Sequence, residues 1–151
     1  MTLIRHATPD DADAVTTLVR TAFAIYVPRL GGVEPWPMRL DYAGIIADGQ
    51  TWVAEEGSEI AGVVVLEDQA DHLLLDVLAV SPGHQGSGVG RRLMALAEEQ
   101  AGDRGFDEVR LFTNAVMTEN LAYYPRRGYV ETHRDEIQGF HRVHFSKALA
   151  G

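Results

Sequence analysis

Apolar positions in this chain follow two different periods. Val15, Leu18, Val19, Ala22 and Tyr26 recur three or four residues apart, which predicts one apolar helical face ending near Tyr26. That helix has a start signal in Thr8-Pro9-Asp10-Asp11: a capping threonine, a proline at the first helical position and an acidic third residue. A short strand over residues 3–5 precedes it, and a second helix is predicted over residues 38–47. Between them, Gly31-Gly32-Val33-Glu34-Pro35-Trp36-Pro37 reads as a loop, because the prolines flanking Trp36 suit neither a regular helix nor a central strand.

From residue 51 the period shortens. Residues 51–55 and 59–66 are rich in β-branched and apolar side chains and are separated by Glu56-Gly57-Ser58, so they predict a hairpin. Residues 72–80 form a nearly continuous apolar run, as expected of a central strand covered on both faces, and Asp76 is the charged residue that interrupts it. After a glycine-rich turn, Val89, Leu93, Leu96, Ala97 and Ala101 mark a helix that Gly102 is expected to close. A strand over 108–113, a short helix over 118–125 and strands over 128–131 and 141–145 complete the pattern. The order is mixed α and β, with strands dominating the middle and the end.

Composition narrows the options. The 151 residues, 46% hydrophobic and 23% charged, suit one domain over 1–151 that can bury a core without staples. With no cysteine there is no disulfide, thiolate metal site or cysteine nucleophile. Thirteen basic against twenty-two acidic residues give a net charge of −9, which opposes nucleic acid and suits a small cationic substrate, or simply keeps the protein soluble. The first residues lack the apolar core of a secretion signal, and no apolar run approaches the ~20 residues of a membrane span. A soluble, cytoplasmic protein without a membrane partner is expected. Among the histidines, His84 falls in the turn and is expected to be exposed, while His141 and His144 stand three apart on a closing strand and so on opposite faces. No metal site is expected.

The turn itself reads Gln85-Gly86-Ser87-Gly88-Val89-Gly90 between a strand and a helix. Such a turn offers unpaired backbone N–H groups and a helix dipole's positive end to an anion. No Gly-Lys-Ser/Thr follows, so it is not a Walker loop, and it lacks the later acidic residue of the dinucleotide fingerprint. Arg91 and Arg92 lie in the first helical turn, where a cation costs ~0.3–1 kcal/mol. Either a negative guest sits beside them or they are a solvated pair whose cost is tolerated.

With Gln85-x-x-Gly88-x-Gly90 preceded by Leu78-Ala79-Val80-Ser81-Pro82, and with Tyr124-Pro125-Arg126-Arg127-Gly128-Tyr129 downstream, the chain resembles the GNAT superfamily of acetyl-coenzyme A-dependent N-acetyltransferases. The resemblance is sharpest over residues 72–130. It implies an α/β fold of the α+β type: a twisted, mixed, mostly antiparallel sheet of about six to seven strands, with about four helices and splayed central strands, the fourth of them bulged. It also implies that Leu78, Ala79 and Val80 pair with the pantetheine arm and that Gln85, Gly86, Ser87, Gly88, Val89, Gly90 and Arg91 hold the pyrophosphate.

In that family a neutral amine attacks the thioester directly, which needs a proton acceptor, oxyanion donors and an acid for the leaving thiolate. The resemblance puts Tyr124 near the cofactor sulfur as the acid; the alternative is a core aromatic. Asn120, one turn earlier, would touch pantetheine or cap the helix, and Met117 stands where the family often has asparagine. Asp76 has three readings: a base whose desolvated carboxylate is hard to ionise, an ion-pair or loop anchor, or a holder of the substrate ammonium. The resemblance further implies the Leu78 N–H as an oxyanion donor. Tyr26, Arg29, Glu34, Trp36 and Tyr42 cluster around the early loop. There Tyr26, Glu34 and Trp36 are candidates for holding an organic cation, unless they only pack the loop.

The expected activity is acetyl transfer from acetyl-coenzyme A to a primary amine of a small molecule or peptide, without metal. A non-catalytic acyl-coenzyme A sensor and a longer acyl donor are the alternatives. A homodimer through the edges of the closing strands is a further expectation.

Overall fold

The computed structural model describes residues 2–150. Seven strands form one mixed sheet in the order β1-β2-β3-β4-β5-β7-β6, where β1 is Thr2–His6, β2 Thr51–Glu56, β3 Glu59–Asp68, β4 Leu73–Val80, β5 Glu108–Asn114, β6 Val130–Ile137 and β7 Phe140–Ala148. The helices are α1 (Ala12–Phe23), α2 (Tyr42–Ala47), α3 (Val89–Asp103) and α4 (Thr118–Arg126). The pairs β1–β2, β2–β3, β5–β7 and β6–β7 are antiparallel, whereas β4 and β5 run parallel. None of the helices is long and apolar enough to cross a membrane. The chain groups into two compact units, one of residues up to Leu66 with Val77–Ala97, the other of Glu67–Asp76 with residues from Glu98 on.

In the first unit, the helix start works as the sequence predicts. The Asp11 carboxylate accepts the Thr8 amide at 2.7 Å, and Pro9–Asp11 form a 3₁₀ turn that leads into α1. Asp11 also accepts both guanidinium ends of Arg5, which donates on its other side to Glu55 of β2. Val15, Leu18, Val19 and Phe23 of α1 are buried, and a further 3₁₀ turn carries Tyr26 into the core.

The second predicted helix is broken. Trp36–Arg39 make a 3₁₀ turn despite the prolines, Leu40 is extended, and α2 starts only at Tyr42. The Tyr42 hydroxyl donates to the Pro37 carbonyl at 2.6 Å, which fixes the break.

Gly62 of β3 sets how closely α3 approaches. A Cβ there would lie 2.7 Å from Val89 Cγ1, 2.9 Å from Leu93 Cδ1 and 3.3 Å from the Ala79 carbonyl. Only glycine lets the start of α3 press against β3 and β4 at this point.

In the second unit, two helices end in the same way. Gly105 (φ 82°) closes α3, with the Phe106 amide bonded to Ala101 O and that of Gly105 to Gly102 O. Gly128 (φ 91°) closes α4, with the Tyr129 amide bonded to Tyr124 O and that of Gly128 to Pro125 O. Both are Schellman caps, which need a left-handed residue just past the helix. The expected stop at Gly102 is therefore three residues early. Likewise residues 128 and 129 belong to the α4 cap, and β6 begins at Val130.

The alternating strand β5 buries Val109, Leu111 and Thr113, while β7 buries Val143 and Phe145. Of the two closing strands only β6 is an edge, since β7 lies between β5 and β6.

Two irregularities matter for the site. Gln69 bonds His72 and Ser81 bonds Ala61. Eight steps along β3, from Ala61 to Gln69, thus face nine along the next strand, from His72 to Ser81, so that strand holds one extra residue. The parallel register of β4 with β5 comprises Leu73↔Val109 and Leu74↔Arg110, and Asp76 lies beyond it.

Candidate active site

The glycine turn owes its shape to Gly86 (φ 82°) and Gly88 (φ 92°), both left-handed. A Cβ at Gly86 would meet nothing within 4 Å, and one at Gly88 only Arg91 Nη2 at 3.4 Å, so the backbone on this side is open to a guest. Gln85 Nε2 donates to Val80 O at 3.3 Å, and the Ser87 hydroxyl donates to His84 O. The first bond ties the turn back to the end of β4, and the second closes the turn on the residue before it.

The Arg92 amide bonds Gly88 O, so the helical ladder begins at Gly88 and the amides of Val89, Gly90 and Arg91 precede it. The side chain of Val89 is buried, which leaves its amide as the group a ligand can meet. Arg92 donates to Thr2 O at 3.3 Å, while Arg91 stays exposed beside Gly88. The pair is therefore split: Arg92 serves the fold and Arg91 faces the turn. His84 is half-buried rather than exposed, and its Nδ1 is buried without a hydrogen bond.

Along β4 burial alternates without a break. Leu73, Leu75, Val77 and Ala79 are buried, and Leu74, Asp76, Leu78 and Val80 are half-buried on the other face. Ala79, like Val89, can offer a ligand only its backbone.

The side chain of Asp76 has no ion pair or hydrogen bond among the described residues. Burial pushes its carboxyl above the usual carboxylate range, and the nearby Glu67 carboxylate adds to the effect. Arg110 does not neutralise it, because that guanidinium is held by Glu108 at 2.9 Å and lies 3.7 Å from Asp71. Of the three readings, the ion-pair anchor thus has no support.

Tyr124 is buried in a cluster of rings: Tyr123 at 5.5 Å, Phe145 at 5.8 Å and Tyr129 at 6.2 Å between centroids. The contact with Tyr129 is the apolar partner of the Schellman cap, between its third-last helical residue and the residue after Gly128. The spacing of Tyr124, Gly128 and Tyr129 is therefore also a helix-ending device. Asn120 donates to Thr113 Oγ1 at 3.0 Å and does not cap α4, whose N-cap residue is the buried Met117.

The early loop does not assemble as a free cation cage. Tyr26 is buried against Phe23, with Arg29 over its ring at 5.1 Å. Glu34 is paired to Arg20 at 2.7 Å, and Arg20 also donates to Met38 O. Tyr42 is buried, and Trp36, 52% exposed, is the candidate left open to a ligand.

The model of the acetyltransferase (GNAT) family matches residues 16–129, most of the chain. This chain belongs to the GNAT acetyltransferase family. N-acetyltransferase 8F1 of Rattus norvegicus is 28% identical over 138 residues, covering 80% of this chain and 62% of that protein, so the chain spans under two thirds of that relative's length. Aminoalkylphosphonate N-acetyltransferase of Salmonella typhimurium is 27% identical over 139 residues, covering 86% of each. The PaiA N-acetyltransferase of Thermoplasma acidophilum, solved in complex with coenzyme A, shares the fold with a TM-score of 0.82 at 18% identity, over 99% of both chains.

This GNAT chain also holds polar groups that reading along the sequence missed. Glu67 sits at the end of β3 and affects Asp76 from the neighbouring strand. His133, Asp135 and His144 bring ligand-type atoms within 4.8 Å of one another, across β6 and β7. His141 and His144 diverge along β7, and spacing within one strand does not reveal a cluster made between β6 and β7.

Proposed function

We propose that this GNAT chain is an N-acetyltransferase that moves the acetyl group of acetyl-coenzyme A to a primary amine of a small molecule or peptide. The observation that carries the reading is the turn at Gly86 and Gly88, open on its backbone side and leading into the free first-turn amides of α3. Those groups fit a diphosphate, which needs several N–H donors at close range and a nearby cation such as Arg91. That the PaiA N-acetyltransferase of the same fold is solved in complex with coenzyme A supports coenzyme A as the guest.

Acetyl-coenzyme A supplies an activated acyl group; the chain's own residues manage protons and charge. Asp76, hard to ionise and unpaired, takes a proton from the bound ammonium, so that the neutral amine attacks. The Leu78 amide donates to the carbonyl oxygen as it gains charge, and the Tyr124 hydroxyl donates a proton to the leaving sulfur. The new C–N bond replaces C–S: the ammonium gives one proton to Asp76 before attack, the nitrogen gives a second after attack to the Tyr124 phenolate left by protonating the sulfur, and Asp76 returns its proton to solvent.

The acceptor class we favour is cationic. The chain is acidic overall, and the Asp76–Glu67 pair has no counter-cation among the described residues. Amines that also bear an anionic group, such as aminoalkylphosphonates, belong in the same panel because one relative carries that name.

The test is thiol release from acetyl-coenzyme A over polyamines, aminoalkylphosphonates, aminoglycosides and peptide N-termini, with Asp76→Asn and Tyr124→Phe beside the unaltered protein. Amine-dependent release that falls ~100-fold in at least one variant, at unchanged coenzyme A affinity, is the expected result. Coenzyme A binding without release for any amine favours the sensor reading.

A further inference from the structure

We propose that His133, Asp135 and His144 form a binding site for a divalent transition metal of the zinc type on the outer hairpin of the sheet. The inference is independent of the acetyl-transfer reading.

The argument begins with the register. Between Glu131 and His133 the β6–β7 pairing shifts by one residue, so Thr132 is an insertion in β6. Without it Thr132 would stand opposite His144; with it, His133 does. Bulges of this kind re-aim a side chain at the expense of ladder regularity. Asp135, two residues on, returns to the same face and pairs in register with Arg142.

The local contacts then orient each donor. Thr132 Oγ1 lies 3.0 Å from His133 Nδ1, which leaves Nε2 of that ring as the available ligand. Arg142 grips both oxygens of Asp135, each at 2.7 Å, and holds the carboxylate plane fixed. The ring of His144 packs 5.6 Å from Phe112.

His144 Nε2 is buried and makes no hydrogen bond, although it lies 3.1 Å from Asp135 Oδ2. The two atoms are close but not aligned for one. Two ligands on a tetrahedral zinc, with bonds of ~2.0–2.1 Å, stand ~3.3 Å apart, so this separation suits a shared ion. The His133 ring lies stacked on that of His144 at 4.1 Å, and one ligand-type atom of each of the three side chains stands within 4.8 Å of the others. His133 is exposed, so its ring can close the remaining distance.

Two imidazoles and one carboxylate select zinc, nickel or copper rather than magnesium or calcium, which want an oxygen shell. The Arg142 charge beside Asp135 strengthens that preference, since most of the affinity must come from neutral nitrogen donors.

The experiment uses the full chain without a histidine tag, titrated calorimetrically with Zn²⁺, with Co²⁺ absorbance as a second readout. One ion per chain is expected, with an intense visible band typical of tetrahedral cobalt. His133→Ala and His144→Ala should each weaken binding at least tenfold, and Asp135→Asn should do the same. His141→Ala, on the other face of β7, should leave it unchanged, and Mg²⁺ should not compete. Because His133 is exposed, its variant should keep the parent circular dichroism, which separates ligand loss from unfolding. No Zn²⁺ binding at ~1 mM, or binding that survives the His133→Ala/His144→Ala double variant, would overturn the proposal.

Discussion

Asp76 combines two properties that rarely coexist without use: a carboxyl group made hard to ionise by burial, and no partner to offset that cost. The sign of its effect on stability follows. Its folded-state pKa is raised, so the native state binds the proton more tightly, and stability falls as pH rises through that pKa. Asp76→Asn should therefore raise the melting temperature at neutral pH while removing activity. The base form grows with pH, so the rate in the parent should climb through a limb above the ordinary carboxylate range. That limb should vanish in the variant. A variant that loses both stability and activity would instead make Asp76 a structural residue.

Asp11 behaves in the opposite sense. Arg5, chiefly by hydrogen bonding, holds the Asp11 carboxyl down to about 2. Its contribution is present above the unfolded-state carboxylate range and is lost as pH falls toward 2. The shift corresponds to about 2 kcal/mol. Denaturant titrations of Asp11→Ala should show a loss of that order at pH 7 and a much smaller difference from the parent near pH 2. The start of α1 was legible in Thr8-Pro9-Asp10-Asp11 because a capping box is local. The clamp from Arg5 was not, since it depends on β1 lying beside β2.

Among the elements, the contact of β3 with α3 through Gly62 is the tightest constraint on the glycine turn. Gly62→Ala should destabilise the protein by ~1–3 kcal/mol, measured by thermal or denaturant unfolding, and should weaken coenzyme A binding as the start of α3 is displaced. Unchanged stability would show that Val89 and Leu93 yield freely. Sequence patterns located the central strands and α3 because their apolar periods run over many residues. They failed at 38–47, where a hydrogen bond from Tyr42 to Pro37 breaks the helix, and at β6, where Val130, Ile137 and the charged residues between them line an exposed edge without alternation. The His133–His144 pairing depends on a single inserted residue in β6, which no spacing along one strand reveals.

For the protein as a whole, the family was readable from two short motifs, and the structure gives each a physical cause. Left-handed glycines open the turn at 86–88, and a Schellman cap links Tyr124, Gly128 and Tyr129. The acceptor was the least legible part. Tyr26 and Glu34, candidates by their place around the early loop, are occupied by the core and by Arg20, while the effect of Glu67 on Asp76 acts between neighbouring strands. All of the proposed chemistry depends on the turn holding coenzyme A. Calorimetric titration of the chain with coenzyme A tests that directly. The account predicts saturable binding of one molecule per chain, weakened at least tenfold by Gly86→Val or Gly88→Val, both of which place a branched side chain at a left-handed residue on the open side of the turn. Absence of binding at ~1 mM, or equal affinity in both variants, would contradict it.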